Sequence, residues 1–238
     1  MRVAVVTGAS SGIGAALCRA LRERGWHVVG LSRSPAPEAD EHEPCDVSDR
    51  AAVDAAAAAV LGRHPQVSLL INNAGVAARG LFIDADPEAI EAAIESNYLG
   101  SVWCLRAFLP GLASGAQLVN IVSVAGMVAL GPYSAAKHAQ LAFSRSVTVE
   151  LAPRGVSVLT VNPGFVETPG FPQRGRFRFP LSLLIVEPPF IATRILAAIE
   201  KGRTEIVVPR WYRPAAWSQA LAPSLVGRVR TRLGIHDV

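Results

Sequence analysis

Short apolar runs alternate with alanine-rich helical stretches through most of this chain. Val3-Ala4-Val5-Val6, His27-Val28-Val29-Gly30-Leu31-Ser32, Val67 to Ile71, Gln117 to Val122 and Val156 to Val161 each read as strands. They are near-continuous in apolar residues, as strands buried on both faces of a parallel sheet require. Between them fall helical segments. Ala15 to Leu21 stops near Gly25. An alanine-rich helix follows Ser48, whose side chain is placed to cap it. A long helix starts at Asp86-Pro87, with an acid at the cap and proline in the first turn. Ala135, Ala139, Phe143, Val147 and Leu151 recur at helical spacing after Gly131-Pro132. Pro188 to Lys201 reads as a further helix and Glu205 to Val208 as a last strand. Residues 34 to 44, acidic and proline-rich, read as a surface loop that leads into a short strand end at Cys45-Asp46-Val47. Strand and helix in regular alternation predict a single-domain α/β fold. Its core is a Rossmann-type doubly wound parallel sheet of about seven strands, flanked by helices, with ligands at the carboxyl ends of the strands.

Composition adds boundaries to this picture. The 238 residues are 50% hydrophobic and 18% charged, enough apolar material for a substantial core. Cys18, Cys45 and Cys104 are far apart and form no Cys-x-x-Cys pair, and no His/Cys cluster stands out. They read as free thiols in a reducing compartment, and no metal site is expected. No secretion leader is expected at the start, and no apolar run is long enough to span a bilayer. The best candidate, Leu181 to Val186, stops at Glu187-Pro188-Pro189. These features point to a cytoplasmic protein. A net charge of +4 does not by itself imply a nucleic-acid partner.

The candidate chemistry sits at the strand ends. After the first strand come Gly8, Gly12 and Gly14, followed directly by a helix. Gly8 allows a sharp turn, Gly12 lets the backbone approach a pyrophosphate, and Gly14 lets helix and strand pack closely. The second strand ends at Ser32-Arg33 with no acid, so the site is suited to the 2′-phosphate of NADP over the free ribose of NAD. Asp46-Val47 falls where an adenine ring can rest. Asn97 and Gly100 are weak helix formers in mid-helix, which marks either a functional position or a kink. Tyr133 and Lys137, four residues apart on a helix, share a face. A lysine cation near a phenol favours the tyrosinate and tunes it for proton transfer to a carbonyl or from an alcohol.

Several motifs now stand in one order: Thr7-Gly8-Ala9-Ser10-Ser11-Gly12-Ile13-Gly14, Asn72-Asn73-Ala74-Gly75, Asn97, Ser123, Tyr133 with Lys137, and Pro163-Gly164 with Thr168. Over roughly residues 3 to 208 the chain resembles a classical short-chain dehydrogenase/reductase. The resemblance implies that Tyr133 exchanges the proton with the substrate oxygen and that Ser123 hydrogen-bonds that oxygen. Lys137 would lower the Tyr133 pKa and bind the nicotinamide ribose, and Asn97 would hold a relay water. Asn73 would steady the sheet beside the cofactor, Thr168 would meet the carboxamide, and Asp46 the adenine. Further cofactor contacts are implied at Gly8, Ser10, Ser11, Gly12, Ile13, Gly14, Arg33, Val47, Ala74, Gly75, Tyr133, Lys137, Pro163, Gly164 and Val166. Two features depart from the family pattern. The stretch from Ser123 to Tyr133 is a few residues short, so Ser123 can sit differently. Ser11 also stands where NADP-using members often carry a basic residue, which leaves the NADP preference resting on Arg33.

Residues 165 to 190 form a proline- and phenylalanine-rich segment suited to a lid over the substrate. Phe165, Phe171, Phe177, Phe179 and Leu183 either line an apolar pocket or pack as ordinary loop core. Residues 1–208 make the catalytic domain and 209–238 an extension. In the extension Leu225, Val229 and Leu233 form a stripe flanked by arginines, which can pack on the domain, close a dimer or lie on an anionic membrane. The expected function is NADP(H)-dependent interconversion of a ketone or aldehyde and an alcohol on a bulky, lipid- or steroid-like substrate. A 3-oxoacyl-thioester reductase and a catalytically silent nucleotide-binding sensor are the alternatives. By resemblance, a homodimer or homotetramer is expected.

Overall fold

The computed structural model describes residues 1–174 and 181–233. Seven strands form one parallel sheet in the order β3-β2-β1-β4-β5-β6-β7. They are β1 (Val3–Thr7), β2 (His27–Ser32), β3 (Glu41–Pro44), β4 (Leu69–Asn72), β5 (Gln117–Ile121), β6 (Ser157–Pro163) and β7 (Glu205–Val208). The helices are α1 (Gly12–Arg22), α2 (Arg50–Arg63), α3 (Pro87–Ile94), α4 (Gly100–Phe108), α5 (Gly131–Leu151), α6 (Pro188–Glu200), α7 (Arg213–Leu221) and α8 (Pro223–Leu233). The strand order reverses between β1 and β4. That switch opens the crevice in which open α/β sheets bind ligands.

The two faces of the sheet are covered by different helices, and strand alternation assigns the residues. Val3, Val5, Val29, Leu31, Leu70, Leu118 and Val158 face one way, onto Val53 and Val60 of α2, Leu105 and Phe108 of α4, and Val147 and Leu151 of α5. Ala4, Val6, Val28, Leu69, Ile71, Val119, Leu159 and Val161 face the other way, onto Leu17 and Leu21 of α1 and Ile191 and Ile195 of α6. Each fully buried leucine or isoleucine contributes about 1.5–3 kcal/mol by leaving water, so these two layers hold the sheet rigid under the site.

Four local expectations change. Residues 41–44, expected as loop, form the edge strand β3, paired in parallel with Val29 to Ser32. An edge strand needs only one ladder and tolerates charge, so its sequence lacks the apolar signature of a central strand. The cap of α2 is Asp49, whose carboxylate accepts from the amides of Ala51 and Ala52, while Ser48 turns back and donates to Asp46. The Asp86-Pro87 helix is interrupted. Glu95–Leu99 forms a π turn between α3 and α4, with Asn97 inside it. Inserted π turns occur disproportionately at functional sites. On α5, Ala135 is exposed; the buried side instead carries Ser134, Ala136, Lys137, Gln140, Leu141, Ser144, Val147 and Leu151.

Candidate active site

The carboxyl ends of β1, β2, β4, β5 and β6 surround one cavity of about 560 Å³. At its floor the first turn is tied tightly. The Thr7 hydroxyl accepts from the amides of Asn73 and Ala74, both at 2.9 Å. The Asn73 side chain donates to the carbonyls of Thr7 and Gly8 at 2.9 and 3.3 Å. Gly8 has φ +65°, and a Cβ there would stand 2.9 Å from the Ala74 backbone. Gly12 has φ +57° and opens α1. Ser11 at the cap makes no side-chain hydrogen bond to the helix, and the first turn holds no acid. The first amides of α1 are therefore uncapped by side chains beside the cavity, at the positive end of a helix dipole, an arrangement that suits a pyrophosphate.

At the far rim, Arg33 is 71% exposed and its guanidinium lies 3.6 Å from the Asp46 carboxylate. Burial opposes ionisation of Asp46, but hydrogen bonds from Ser48 and the nearby Arg33 outweigh it and hold its pKa below the ordinary aspartate value. Val47 and Cys45 complete this wall. All three cysteines are buried free thiols, and burial pushes each upward in pKa, which keeps them protonated.

The opposite half of the cavity holds the proton-transfer candidates. The short segment after β5 folds into a single 3-10 turn, Val124–Met127, capped by Ser123, whose hydroxyl accepts from the Ala125 amide at 3.0 Å. Ser134, just inside α5, donates to the carbonyls of Ala125 and Val128 and closes this loop. Despite the loop's shortness, Ser123 and Tyr133 meet in a side-chain hydrogen bond. Burial pushes the Tyr133 phenol up to about 12, and the Ser123 bond only partly offsets it. The expected lowering by Lys137 is absent here. Lys137 is buried and its Nζ lies 5.8 Å from the centre of the Tyr133 ring, where it donates to the Ile121 carbonyl at 3.1 Å and to Gln140 Oε1 at 2.8 Å. Desolvation brings its pKa down to about 7.

Asn97 donates to the carbonyls of Val76 and Ala93, and its buried Oδ1 has no partner among the described residues. A Cβ on Gly75 would lie 2.3 Å from that oxygen, so the glycine lets the strand-end loop settle onto Asn97.

Of the residues predicted from sequence, Gly8, Ser10, Ser11, Gly12, Ile13, Arg33, Asp46, Val47, Asn73, Ala74, Gly75, Asn97, Ser123, Tyr133, Lys137, Pro163, Gly164, Val166 and Thr168 all line this one cavity. Gly14 does not; a Cβ there would stand 2.2 Å from the Gly8 carbonyl oxygen, so its part is to let α1 pack against the turn. Phe165 and Phe171 line the cavity, and Phe171 stacks on Tyr133 with ring centres 5.7 Å apart. Leu183 is 69% exposed and lies away from it. Phe177 and Phe179 fall outside the described residues. In the tail, Leu225 and Val229 are exposed on α8, and the side chain of Leu233 is outside the described residues.

Sequence reasoning missed a buried polar chain beneath the site. Gln140 joins Lys137 to the Ser101 hydroxyl at 2.8 Å. Asn72 donates to the Ser101 carbonyl and to Asn120, Asn120 to Ser144, and Ser144 meets Thr160. The available signal was three polar residues, Lys137, Gln140 and Ser144, at helical spacing on the inward face of α5. Arg79 was missed as well; its guanidinium sits 5.4 Å over the Phe171 ring.

A parallel sheet with a glycine-rich first turn, an uncapped helix start and a Ser–Tyr–Lys set around one crevice defines the oxidoreductases of the Rossmann class. Within that class, the chain belongs to the short chain dehydrogenase family, whose sequence profile matches residues 2–177. It is 32% identical over 189 residues to dehydrogenase/reductase SDR family member 7B of Bos taurus, covering 70% of this chain and 58% of that relative's length. It is 38% identical over 224 residues to the "Monensin polyketide synthase putative ketoacyl reductase" of Streptomyces virginiae, covering 85% of this chain and 84% of that protein. Among solved structures, a short chain dehydrogenase from Burkholderia cenocepacia in complex with NADP superposes with a TM-score of 0.82 at 31% identity, covering 98% of this chain and 99% of that one. One from Burkholderia phymatum in complex with NAD reaches 0.83 at 25% identity, covering 94% of each.

Proposed function

We propose that this oxidoreductase uses NADP(H) to reduce the carbonyl of a bulky, largely apolar substrate. The observation that carries the proposal is the meeting of Ser123, Tyr133 and Lys137 in one cavity with the glycine turn and Arg33. When bound, the nicotinamide supplies the hydride. The chain's own residues do the rest. Ser123 and the Tyr133 hydroxyl hold the substrate oxygen, and the phenol donates its proton as negative charge grows there. A phenol held near 12 stays protonated across the working range, as a proton donor to a carbonyl must. While it is protonated, Lys137 keeps an N–H after its two protein bonds, since an ammonium has three, and that donor is assigned to the cofactor ribose. Asn97 is assigned the relay water. Arg33 is assigned the 2′-phosphate, exchanging its 3.6 Å contact with Asp46 for a charge-assisted one, and Asp46 then borders the adenine. The NADP-complexed relative supports this preference; the NAD-complexed one is the reason to test it.

Phe165 and Phe171 give the substrate side its apolar lining. A 3-oxoacyl-thioester is the second candidate within the same chemistry, favoured by the similarity to the Streptomyces virginiae protein along most of both chains. Residues 1–208 are assigned as the catalytic unit, working as a homo-oligomer in the cytoplasm. Residues 209–233 are assigned to the substrate side, where Tyr212 donates to the Leu184 carbonyl and α7 packs by the Val124–Met127 turn. Among the described residues no helix is long and apolar enough to cross a membrane. Contact of the α8 stripe with an anionic surface is tested by vesicle sedimentation with and without residues 211–238.

The decisive experiment is titration with NADPH and NADH, followed by a panel of bulky ketones and 3-oxoacyl thioesters monitored at the reduced-nicotinamide absorbance. NADPH binding with turnover on one group fixes the substrate class. Tight binding with no turnover on any member would favour the silent-sensor alternative. Failure to bind either nucleotide would overturn the assignment.

A further inference from the structure

We propose that His27, Glu41 and His64 form a binding site for a divalent transition-metal ion of the zinc type, at the end of the sheet opposite the cavity. The three are 14 and 23 residues apart in sequence, so their spacing announces nothing; the fold brings them together. His27 is the first residue of β2, Glu41 the first of β3, and His64 follows the last residue of α2. Both imidazole Nε2 atoms lie 2.7 Å from the same carboxylate oxygen, Oε1 of Glu41. One ligand atom from each residue lies within 4.8 Å of the others. Two imidazoles and a carboxylate suit zinc, nickel or copper and are a poor set for magnesium or calcium. Bonds of about 2.0–2.1 Å in a tetrahedron put ligand atoms roughly 3.4 Å apart, so the two 2.7 Å contacts to Glu41 need to lengthen by about 0.7 Å to take an ion.

The surroundings fit this use. Arg63 donates from Nε to the other carboxylate oxygen, Oε2, at 3.0 Å and from Nη2 to Glu43 at 2.8 Å. It orients Glu41 from behind and leaves Oε1 turned toward the histidines, the place of an outer-shell partner. The two rings sit 5.0 Å apart at 50°, so their nitrogens converge on one point without stacking. Side-chain exposures of 21% for His27, 28% for Glu41 and 13% for His64 leave an entry path and room for a water as fourth ligand. A bound ion would pin the edge strand β3 to β2 and α2. Because β3 runs on through Cys45 into Asp46 and Val47, it would brace the outer wall of the cavity from its far end.

The test uses the full chain, stripped with EDTA and titrated calorimetrically at neutral pH with zinc chloride, and separately with magnesium chloride. The expected result is one saturable zinc site, no magnesium binding, and a melting temperature that climbs with zinc concentration. His27→Asn and His64→Asn should each weaken zinc by about tenfold or more, while Cys18→Ser leaves it unchanged. Melts in EDTA verify that the variants fold. Should they fail to fold, the wild-type proton spectrum answers instead. Of the five histidines, the imidazole signals of two should respond to zinc. Absence of saturable zinc binding, equal binding by both asparagine variants, or a response confined to other histidines would overturn the site.

Discussion

The two halves of the cavity are built by different means. On the β1–β4 side the walls are backbone: glycines in required conformations, amides at a helix start, and side chains such as Thr7 and Asn73 that bond only to main chain. On the β5–β6 side the walls are side chains held by other side chains, from Ser123 on Tyr133 and Phe171 on Tyr133 to the polar chain behind Lys137. A backbone-built half can hold only a ligand of fixed shape and charge. A half built from stacked side chains and a buried polar chain can be retuned by single substitutions while the first half stays as it is.

The sharpest break of this contrast is Tyr133→Phe. It removes one hydroxyl from the side-chain half, so turnover should fall by about 10² to 10⁴ while NADPH affinity, set mainly by the other half, stays within a few-fold. Steady-state rates paired with fluorescence titration check this; unchanged turnover would remove Tyr133 from its role. Next in size is Arg33→Ala. Loss of a charge-assisted bond to the 2′-phosphate should weaken NADPH by roughly 10- to 100-fold and leave NADH almost untouched. Equal weakening of both would show that Arg33 does not read that group.

The third effect is a pH dependence with opposite signs in activity and stability. Lys137 loses its proton near pH 7, whereas Tyr133 keeps its own to about 12. Carbonyl reduction should therefore fall as pH rises through about 7, by up to about tenfold per unit, and Lys137→Met should flatten the profile. Stability should move the other way. Between pH 7 and 10.5 the unfolded lysine still binds a proton that the folded one has released, so resistance to urea should rise across that window. A reduction rate that is level from pH 6 to 9 would sink the assignment. The smallest effect is expected from Phe171→Ala, which removes the ring lying on Tyr133. It should raise KM for bulky substrates several-fold, with kcat changed by less than about threefold, because it takes away apolar contact and leaves the proton donor in place.

The same contrast explains how much was legible in the sequence. The apolar strands, the glycine turn and the Asp86 cap act through local backbone physics, and local sequence displays them. Asn97 showed itself as a poor helix former, and the π turn is the structural counterpart of that conflict. Gln140, Ser101 and Asn120 were invisible because each is unremarkable alone and gains meaning only from a partner 3, 39 or 48 residues away. Edge strand β3 was missed for a related reason; its pairing depends on β2, and its own charged residues argue for loop. The raised Tyr133 pKa escaped because spacing gives the distance to Lys137 along the helix but not the burial around the ring.

Gly164 and Tyr212 carry a consequence for how this chain can change over time. A Cβ on Gly164 would stand 2.1 Å from the Tyr212 ring, whose hydroxyl donates to the Leu184 carbonyl and accepts from the Phe165 amide at 3.4 Å. A larger residue at 164 is blocked for as long as position 212 is aromatic, and a smaller residue at 212 leaves a hole beside 164. The two positions, one at a cavity-lining strand end and one in the extension, can drift only as a pair, so any descendant that trades its extension for another must resettle Gly164 in the same step.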